Sequence, residues 1–262
     1  MENFIEDTKA RNDIDAILVL DINSNELSDE FQFEMALRAL PISWRARVLN
    51  KKIDADRKRT LCNRLLQLFG CSTISGIPIK SLRFGSIENG KPILLQQDDD
   101  NITFSMTNGE NYVAMFLKRT TCGPAPYIGI DLASVKDLND PNDLILFRDI
   151  FNLEEYTTLR NASKENVQEL FAYYWSFKES YTKYTGTGIS CDLKVIGAQE
   201  LQNFDSFKKI NRVIESKSMI FYSIWLNGPF KEILTICEQG ISTKYIAPTV
   251  YRLSLKDILS YL

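Results

Sequence analysis

The stretch Trp175-Ser176-Phe177-Lys178-Glu179-Ser180-Tyr181-Thr182-Lys183 decides how this chain is read. It lies late in a segment, residues 164–184, in which Val167, Leu170, Phe171, Tyr174, Phe177 and Tyr181 recur at spacings of three and four. That is the period of a helix with one buried stripe, so a long helix is expected here. Trp175, Glu179 and Lys183 follow one another at i, i+4 and project from one face. A carboxylate and an ammonium one turn apart, beside aromatic packing, are held in a defined geometry. Alone, a Glu–Lys pair at this spacing is an ordinary surface ion pair worth roughly 0.2–0.5 kcal/mol. The rest of the chain decides whether it is more.

With 262 residues the chain is long enough for one large domain or two smaller ones, each with a real core. Hydrophobic residues at 44% and charged residues at 25% are ordinary for a globular protein. A net charge of −3 argues against a protein that coats nucleic acid. No apolar run approaches the ~20 residues that span a bilayer, and MENFIEDTKARND at the start lacks the apolar core of a signal peptide. Cys62, Cys71, Cys122, Cys191 and Cys237 are odd in number and never spaced CxxC. Reduced thiols in a cytoplasmic protein are therefore expected, with no zinc site.

There is no histidine. A Ser–His–Asp triad, a Cys–His pair and any histidine-ligated metal are thereby excluded. Acid–base work would fall to Asp, Glu, Lys, Tyr or Cys, and a metal site would be oxygen-ligated and hard.

In the first half, Ile14–Ile22 reads as a buried strand, and Ser28-Asp29-Glu30 opens an amphipathic helix that stops at Pro41. Between Pro41 and Arg64 stand eight basic residues (Arg45, Arg47, Lys51, Lys52, Arg57, Lys58, Arg59, Arg64) against Asp54 and Asp56. They read either as the solvated face of a helix buried through Leu61, Leu65, Leu66 and Leu68, or as a pocket for a small polyphosphate. A nucleic-acid patch is the weaker version, since aromatics are not interleaved with the charges. Residues 84–95 read as a hairpin with Glu88-Asn89-Gly90 as its turn, and Lys91 at the strand start is a phosphate ligand or a turn lysine. Asp98-Asp99-Asp100 reads as a solvated acidic turn rather than a metal site. Residues 102–106 and 112–117 make a second strand pair across Asn108-Gly109.

Thr121–Pro126 is the linker candidate, dividing residues 1–125 from 126–262. Beyond it Tyr127–Leu132 is an apolar strand interrupted by Asp131. A charge there is costly unless it is paired or binds a cation, although a helix N-cap or an exposed strand end would also account for it. Helical patterns follow at 141–151 and 153–161, then the long helix, with Gly186-Thr187-Gly188 as its glycine cap and turn. Residues 193–196, 218–225 and 231–237 read as strands, with Asn227-Gly228-Pro229 as a turn. Two α+β units without an internal sequence repeat are expected.

Gly129-Ile130-Asp131, followed by Trp175–Lys183, resembles the paired signature of 4′-phosphopantetheinyl transferases. Upstream, Gly90-Lys91-Pro92 and Phe104-Ser105-Met106-Thr107-Asn108 resemble that family's two N-terminal motifs, in the family's order. Arg47–Lys52, Leu66–Cys71 and Lys178–Lys183 further resemble the fungal branch that activates aminoadipate-semialdehyde dehydrogenase in lysine biosynthesis. The resemblance implies an α+β monomer, a pseudo-two-fold pair of similar α/β subdomains with the active site in the cleft between them. It implies coenzyme A as co-substrate, Mg²⁺ as cofactor, and as partner an apo peptidyl or acyl carrier domain, that of aminoadipate-semialdehyde dehydrogenase. The reaction would move phosphopantetheine to a carrier serine and release adenosine 3′,5′-bisphosphate.

On that resemblance Asp131 and Glu179 ligate Mg²⁺, Glu179 is the general base, and Lys183 stabilises or protonates the leaving bisphosphate. Residues 1–125 supply coenzyme A phosphate contacts through Arg45, Lys51, Lys52, Arg57, Lys91, Thr107 and Asn108, and residues 126–262 the metal and catalysis. Two positions depart from the family. Ala133 stands where a second acid is common, so a water is expected at that metal position. Thr107-Asn108 stand where Ser-His is common, leaving Asn108 an uncharged donor. The alternatives are a catalytically silent, transferase-like module that binds a carrier domain or coenzyme A, and a nucleic-acid binder using residues 45–64.

Overall fold

The computed structural model describes all residues except 88, 89, 96–100, 122, 124, 125, 199–203, 205 and 241–246. The tip of the 84–95 hairpin, the acidic run 98–100 and much of the linker at 121–126 therefore lie outside the described residues. The chain forms two compact units. The first comprises Met1–Ile87, Pro92–Ala125 and Pro248–Leu262, and the second Glu88–Lys91 and Pro126–Ala247. Neither unit is one continuous stretch of sequence.

The first unit begins with helix α1 (Glu2–Ala10), strand β1 (Ile14–Asp21) and helices α2 (Asn25–Ser28), α3 (Glu30–Arg38), α4 (Ile42–Leu49) and α5 (Asp54–Ser75). Asp29 caps α3 by accepting from the Gln32 amide at 2.8 Å. α5 ends on Gly76, whose φ of 70° is the left-handed cap conformation. Strands β2 (Phe84–Ser86) and β3 (Pro92–Leu94) pair as the expected hairpin, followed by β4 (Ile102–Asn108) and β5 (Tyr112–Arg119). Leu61, Leu65, Leu66 and Phe69 of α5 are fully buried in one core with Leu18 of β1 and Val113, Met115 and Leu117 of β5. The basic run thus belongs to helices whose other face is the core of this unit.

The second unit holds β6 (Ile128–Ser134), α6 (Leu153–Asn161), α7 (Val167–Thr185), β7 (Lys208–Ile214), β8 (Lys217–Leu226) and β9 (Glu232–Gln239). Its strands form one antiparallel sheet in the order β6-β9-β8-β7. The chain then returns to the first unit as β10 (Thr249–Leu253) and α8 (Leu255–Tyr261). β10 lies parallel to β1 and completes a sheet ordered β10-β1-β5-β4.

Three expectations need correction. Residues 193–196 are not a strand: Leu193–Val195 is a 3₁₀ turn, opened by Asp192 accepting from the Lys194 amide. Residues 141–147 are likewise a 3₁₀ stretch, with Pro141 at its start and Asp140 as cap, and 148–150 only turn. The long helix starts at Val167 rather than Lys164. Its end is as expected, on Gly186 at φ 74°.

α7 lies across β6 and β9 on one face of the second sheet. Phe177 stacks on Phe221 with ring centroids 3.8 Å apart, and Phe171, Tyr174 and Tyr181 fill the same core. What lets helix and strand approach is Gly129. A Cβ there would stand 1.9 Å from the Ser180 carbonyl oxygen and 2.6 Å from the Tyr184 nitrogen. Both are backbone atoms, which cannot rotate away. Gly129→Ala is therefore expected to destabilise the chain by at least the ~1–3 kcal/mol of an overpacked core. Thermal denaturation checks this, and an unchanged midpoint would mean that α7 withdraws without loss.

Candidate active site

Asp131 lies mid-strand in β6, opposite Thr235 of β9, and is 5% exposed. Every residue of β6 is buried, so the side chain has left water and needs a compensating charge. Part of that compensation comes from α7: the Lys183 ammonium stands 2.6 Å from Asp131 Oδ1. Glu179, one turn earlier on the same helix, keeps Oε1 buried with no hydrogen-bond partner. Its pKa is raised above the usual carboxylate range, first by burial and then by the charge of Asp131, with Lys183 acting in the opposite direction. The strand acid, the helix acid and the helix lysine therefore form one electrostatic cluster, as the i, i+4 reading of 179 and 183 required.

Among the described residues no group of three or more His, Cys, Asp and Glu is gathered as a metal cluster. The candidate is a pair, Asp131 and Glu179, and the pair fits a hard divalent ion. The charge of buried Asp131 raises the cost of ionising half-buried Glu179, whose Oε1 is buried and lacks a donor. A small dication supplies charge and coordination together, and Mg²⁺ sites are commonly built from one or two protein carboxylates with the balance from substrate and water. Ala133, on the same face of the strand, is fully buried in the core of this unit.

The remaining candidates separate. Lys91 sits in the second unit, where its ammonium donates to the carbonyls of Ile128 at 2.6 Å and Lys183 at 2.8 Å. Burial lowers its pKa to about 8. The other six are in the first unit. Arg45 Nε and Nη2 donate to the carbonyls of Leu40 and Arg38 at 2.7 and 2.5 Å, and Arg57 Nε to that of Lys51 at 2.8 Å. Lys51 and Lys52 are exposed in the loop between α4 and α5. Thr107 is buried at the end of β4, and exposed Asn108 accepts from Asn63 Nδ2 of α5. The turn after β4 is held from α5 by Arg59, which bonds the Gly109 carbonyl at 2.9 Å and Glu110 at 2.8 Å. The charges are not free of aromatics as expected: the Arg64 guanidinium lies 4.6 Å from the centre of the Trp44 ring.

Spacing did not reveal Lys178. It is fully buried and bonds Glu155 of α6 at 2.7 Å. It also donates to the carbonyls of Leu193 and Ile196 at 2.9 and 2.7 Å. Glu155 in turn accepts from the amides of Asn152 and Ala198. A basic residue beside Glu179 in sequence is thus a structural element behind the site.

A histidine-free α+β protein with a strand acid, a helix acid and a helix lysine in one cluster has the make-up of an enzyme for phosphoryl-type group transfer. Family models match both halves: the 4′-phosphopantetheinyl transferase superfamily over residues 127–237, and the 4′-phosphopantetheinyl transferase N-terminal family over 28–119. The chain is 40% identical to the L-aminoadipate-semialdehyde dehydrogenase-phosphopantetheinyl transferase of Saccharomyces cerevisiae, over 94% of this chain and 89% of that one. It is 35% identical to the protein of the same name from Candida glabrata, over 90% and 88% of the two chains. The 4′-phosphopantetheinyl transferase Sfp of Bacillus subtilis is 28% identical over 53% of this chain and 56% of its own. The chain belongs to the 4′-phosphopantetheinyl transferase superfamily, and it transfers phosphopantetheine to a carrier domain. Among the described residues, no helix is long and apolar enough to cross a membrane.

Proposed function

We propose that the chain moves the 4′-phosphopantetheine of coenzyme A onto a serine of an apo carrier domain, that of an aminoadipate-semialdehyde dehydrogenase, and acts as a cytoplasmic monomer. The choice of partner is supported by the two fungal relatives named for that dehydrogenase. The observation that carries the choice of residues is the cluster itself: Lys183 on Asp131 at 2.6 Å, with a buried, unpartnered Glu179 oxygen one turn away.

Asp131 and Glu179 would hold Mg²⁺, which when bound would neutralise the pyrophosphate and the charge that develops on the leaving group. Glu179 takes the proton of the serine hydroxyl. The serine oxygen then bonds to the phosphorus bearing the pantetheine, and the bond to the other phosphate breaks. The electron pair leaves with adenosine 3′,5′-bisphosphate, which Lys183 stabilises or protonates. Arg45, Lys51, Lys52 and Arg57, with Thr107 and Asn108, bind the phosphates of the nucleotide as charges, forks and hydrogen-bond partners. Histidine is dispensable, because positioning and electrostatics supply most of the barrier lowering.

The test is incubation with coenzyme A, Mg²⁺ and the apo carrier domain of the dehydrogenase. The carrier should gain the mass of one phosphopantetheine, and chelation of the metal should stop the gain. Tight coenzyme A binding in calorimetry with no bisphosphate released would instead identify a silent binding module, the reading Ala133 would favour.

A further inference from the structure

The two elements of the site meet at a second place besides Gly129. β6 brings Asp131 and α7 brings Glu179 and Lys183. Where β6 begins and α7 ends, the Lys91 ammonium bridges the carbonyl of Ile128 at 2.6 Å and that of Lys183 at 2.8 Å. The Lys183 carbonyl lies in the last turn of α7, two residues before its end at Thr185. Carbonyls in the last turn have no amide of their own helix to accept from, and they form the negative end of the helix dipole. An ammonium there supplies both donor and charge. Lys183 is thus held at two points, by its backbone to Lys91 and by its side chain to Asp131. Lys91 is half-buried and lies 5.8 Å from the centre of the Tyr127 ring.

We propose that Lys91 is a positioning residue: it fastens the start of β6 to the end of α7, holding Lys183 and Asp131 in register, and does not bind a coenzyme A phosphate. The proposal rests on the roles given above to Asp131, Glu179 and Lys183, and it corrects the phosphate role that the Gly90-Lys91-Pro92 resemblance implied. An ammonium turned toward two backbone carbonyls has left one N–H for anything else. Drawing it to a phosphate would leave two carbonyls without this donor.

Lys91→Met removes the donor and keeps much of the stem. In the full chain, kcat for transfer to the apo carrier is expected to fall ~10- to 100-fold, the scale of a small displacement of reacting groups. KM for coenzyme A should stay within about twofold, since no phosphate contact is lost. Hydrogen–deuterium exchange should quicken in peptides covering 128–133 and 180–186. A raised KM for coenzyme A with kcat retained would show a phosphate ligand and overturn the proposal, as would unchanged exchange. If the Met variant does not fold, Lys91→Arg decides. A guanidinium serves a phosphate at least as well as an ammonium, so wild-type kcat and KM would overturn the clamp. A reduced kcat with wild-type KM would support it. The exchange measurement needs no activity. A wild-type chain that transfers nothing would therefore sink the functional reading, while faster exchange in the Met variant would still establish the fastening.

Discussion

Glu179→Gln is expected to lose ~10²- to 10⁴-fold in the rate of phosphopantetheine transfer, the usual contribution of a general base. In metal-chelating buffer it should melt no lower than the wild-type chain. Both halves follow from the same surroundings. The carboxyl is pushed toward its neutral form by burial and by Asp131, so its pKa in the folded chain is raised. A carboxyl with a raised folded pKa adds to stability when protonated and loses that contribution as pH rises through the folded value. Where it is ionised the group is therefore a net cost to the fold, and a neutral amide of the same shape removes that cost. Activity suffers for the opposite reason, because the amide cannot accept the serine proton and is a weaker ligand for a hard cation. A structural carboxylate would behave otherwise, with a lower melting temperature and partial activity. Turnover by carrier mass shift and a thermal melt of the same preparation separate the two. A variant that unfolds would remove Glu179 from the reaction chemistry.

That much of the site could be read from residues alone, for identifiable reasons. Asp131 announced itself because a carboxylate within an apolar strand needs an explanation, and the structure buries it against Lys183. Glu179 and Lys183 were legible because i, i+4 spacing on a strongly periodic helix fixes a common face. Local pattern fails where a partner decides. β7 is a half-exposed run carrying three basic residues, Lys208, Lys209 and Arg212, paired to β8 on one side only, and its strand character comes from that partner. β10 finds β1 from the other end of the chain, by a parallel pairing that no local signal encodes. α4 was hidden because its basic residues drew the eye to charge, although Val48 turns inward. Residues 193–196 looked like a strand through their apolar content, but their carbonyls are taken by a lysine rather than by a neighbouring strand. Lys91 was ambiguous for a related reason: its acceptors are backbone atoms remote in sequence.

Lys178 carries the largest expected effect on stability. Adjacent charged residues on a helix point about 100° apart, so nothing in the sequence says which one turns inward; Lys178 does, completely, while Glu179 is only half-buried. Desolvation lowers the Lys178 pKa against the pull of Glu155, the mark of an ammonium out of water. Lys178→Met leaves Glu155, 3% exposed, in the core without its counter-charge and should cost ~3–5 kcal/mol. Glu155→Leu should cost a similar ~3–5 kcal/mol by stranding the ammonium. A buried ion pair replaced on both sides by apolar residues is often neutral or better. Here it should not be, because the pair also satisfies the carbonyls of Leu193 and Ile196 and the amides of Asn152 and Ala198. Each orphaned backbone group costs about 1–3 kcal/mol unless water reaches it. The double variant is therefore expected near the level of one single variant, well short of the sum, and below the wild type. Denaturant unfolding of the four proteins measures this as a coupling energy. Additive singles would show that the two charges are solvated independently. A double variant as stable as the wild type would show that the 193–198 segment finds other partners. On the expected outcome the network is what sets the rotation of α7 about its axis, so that with Lys178 held inward Glu179 and Lys183 are left facing Asp131.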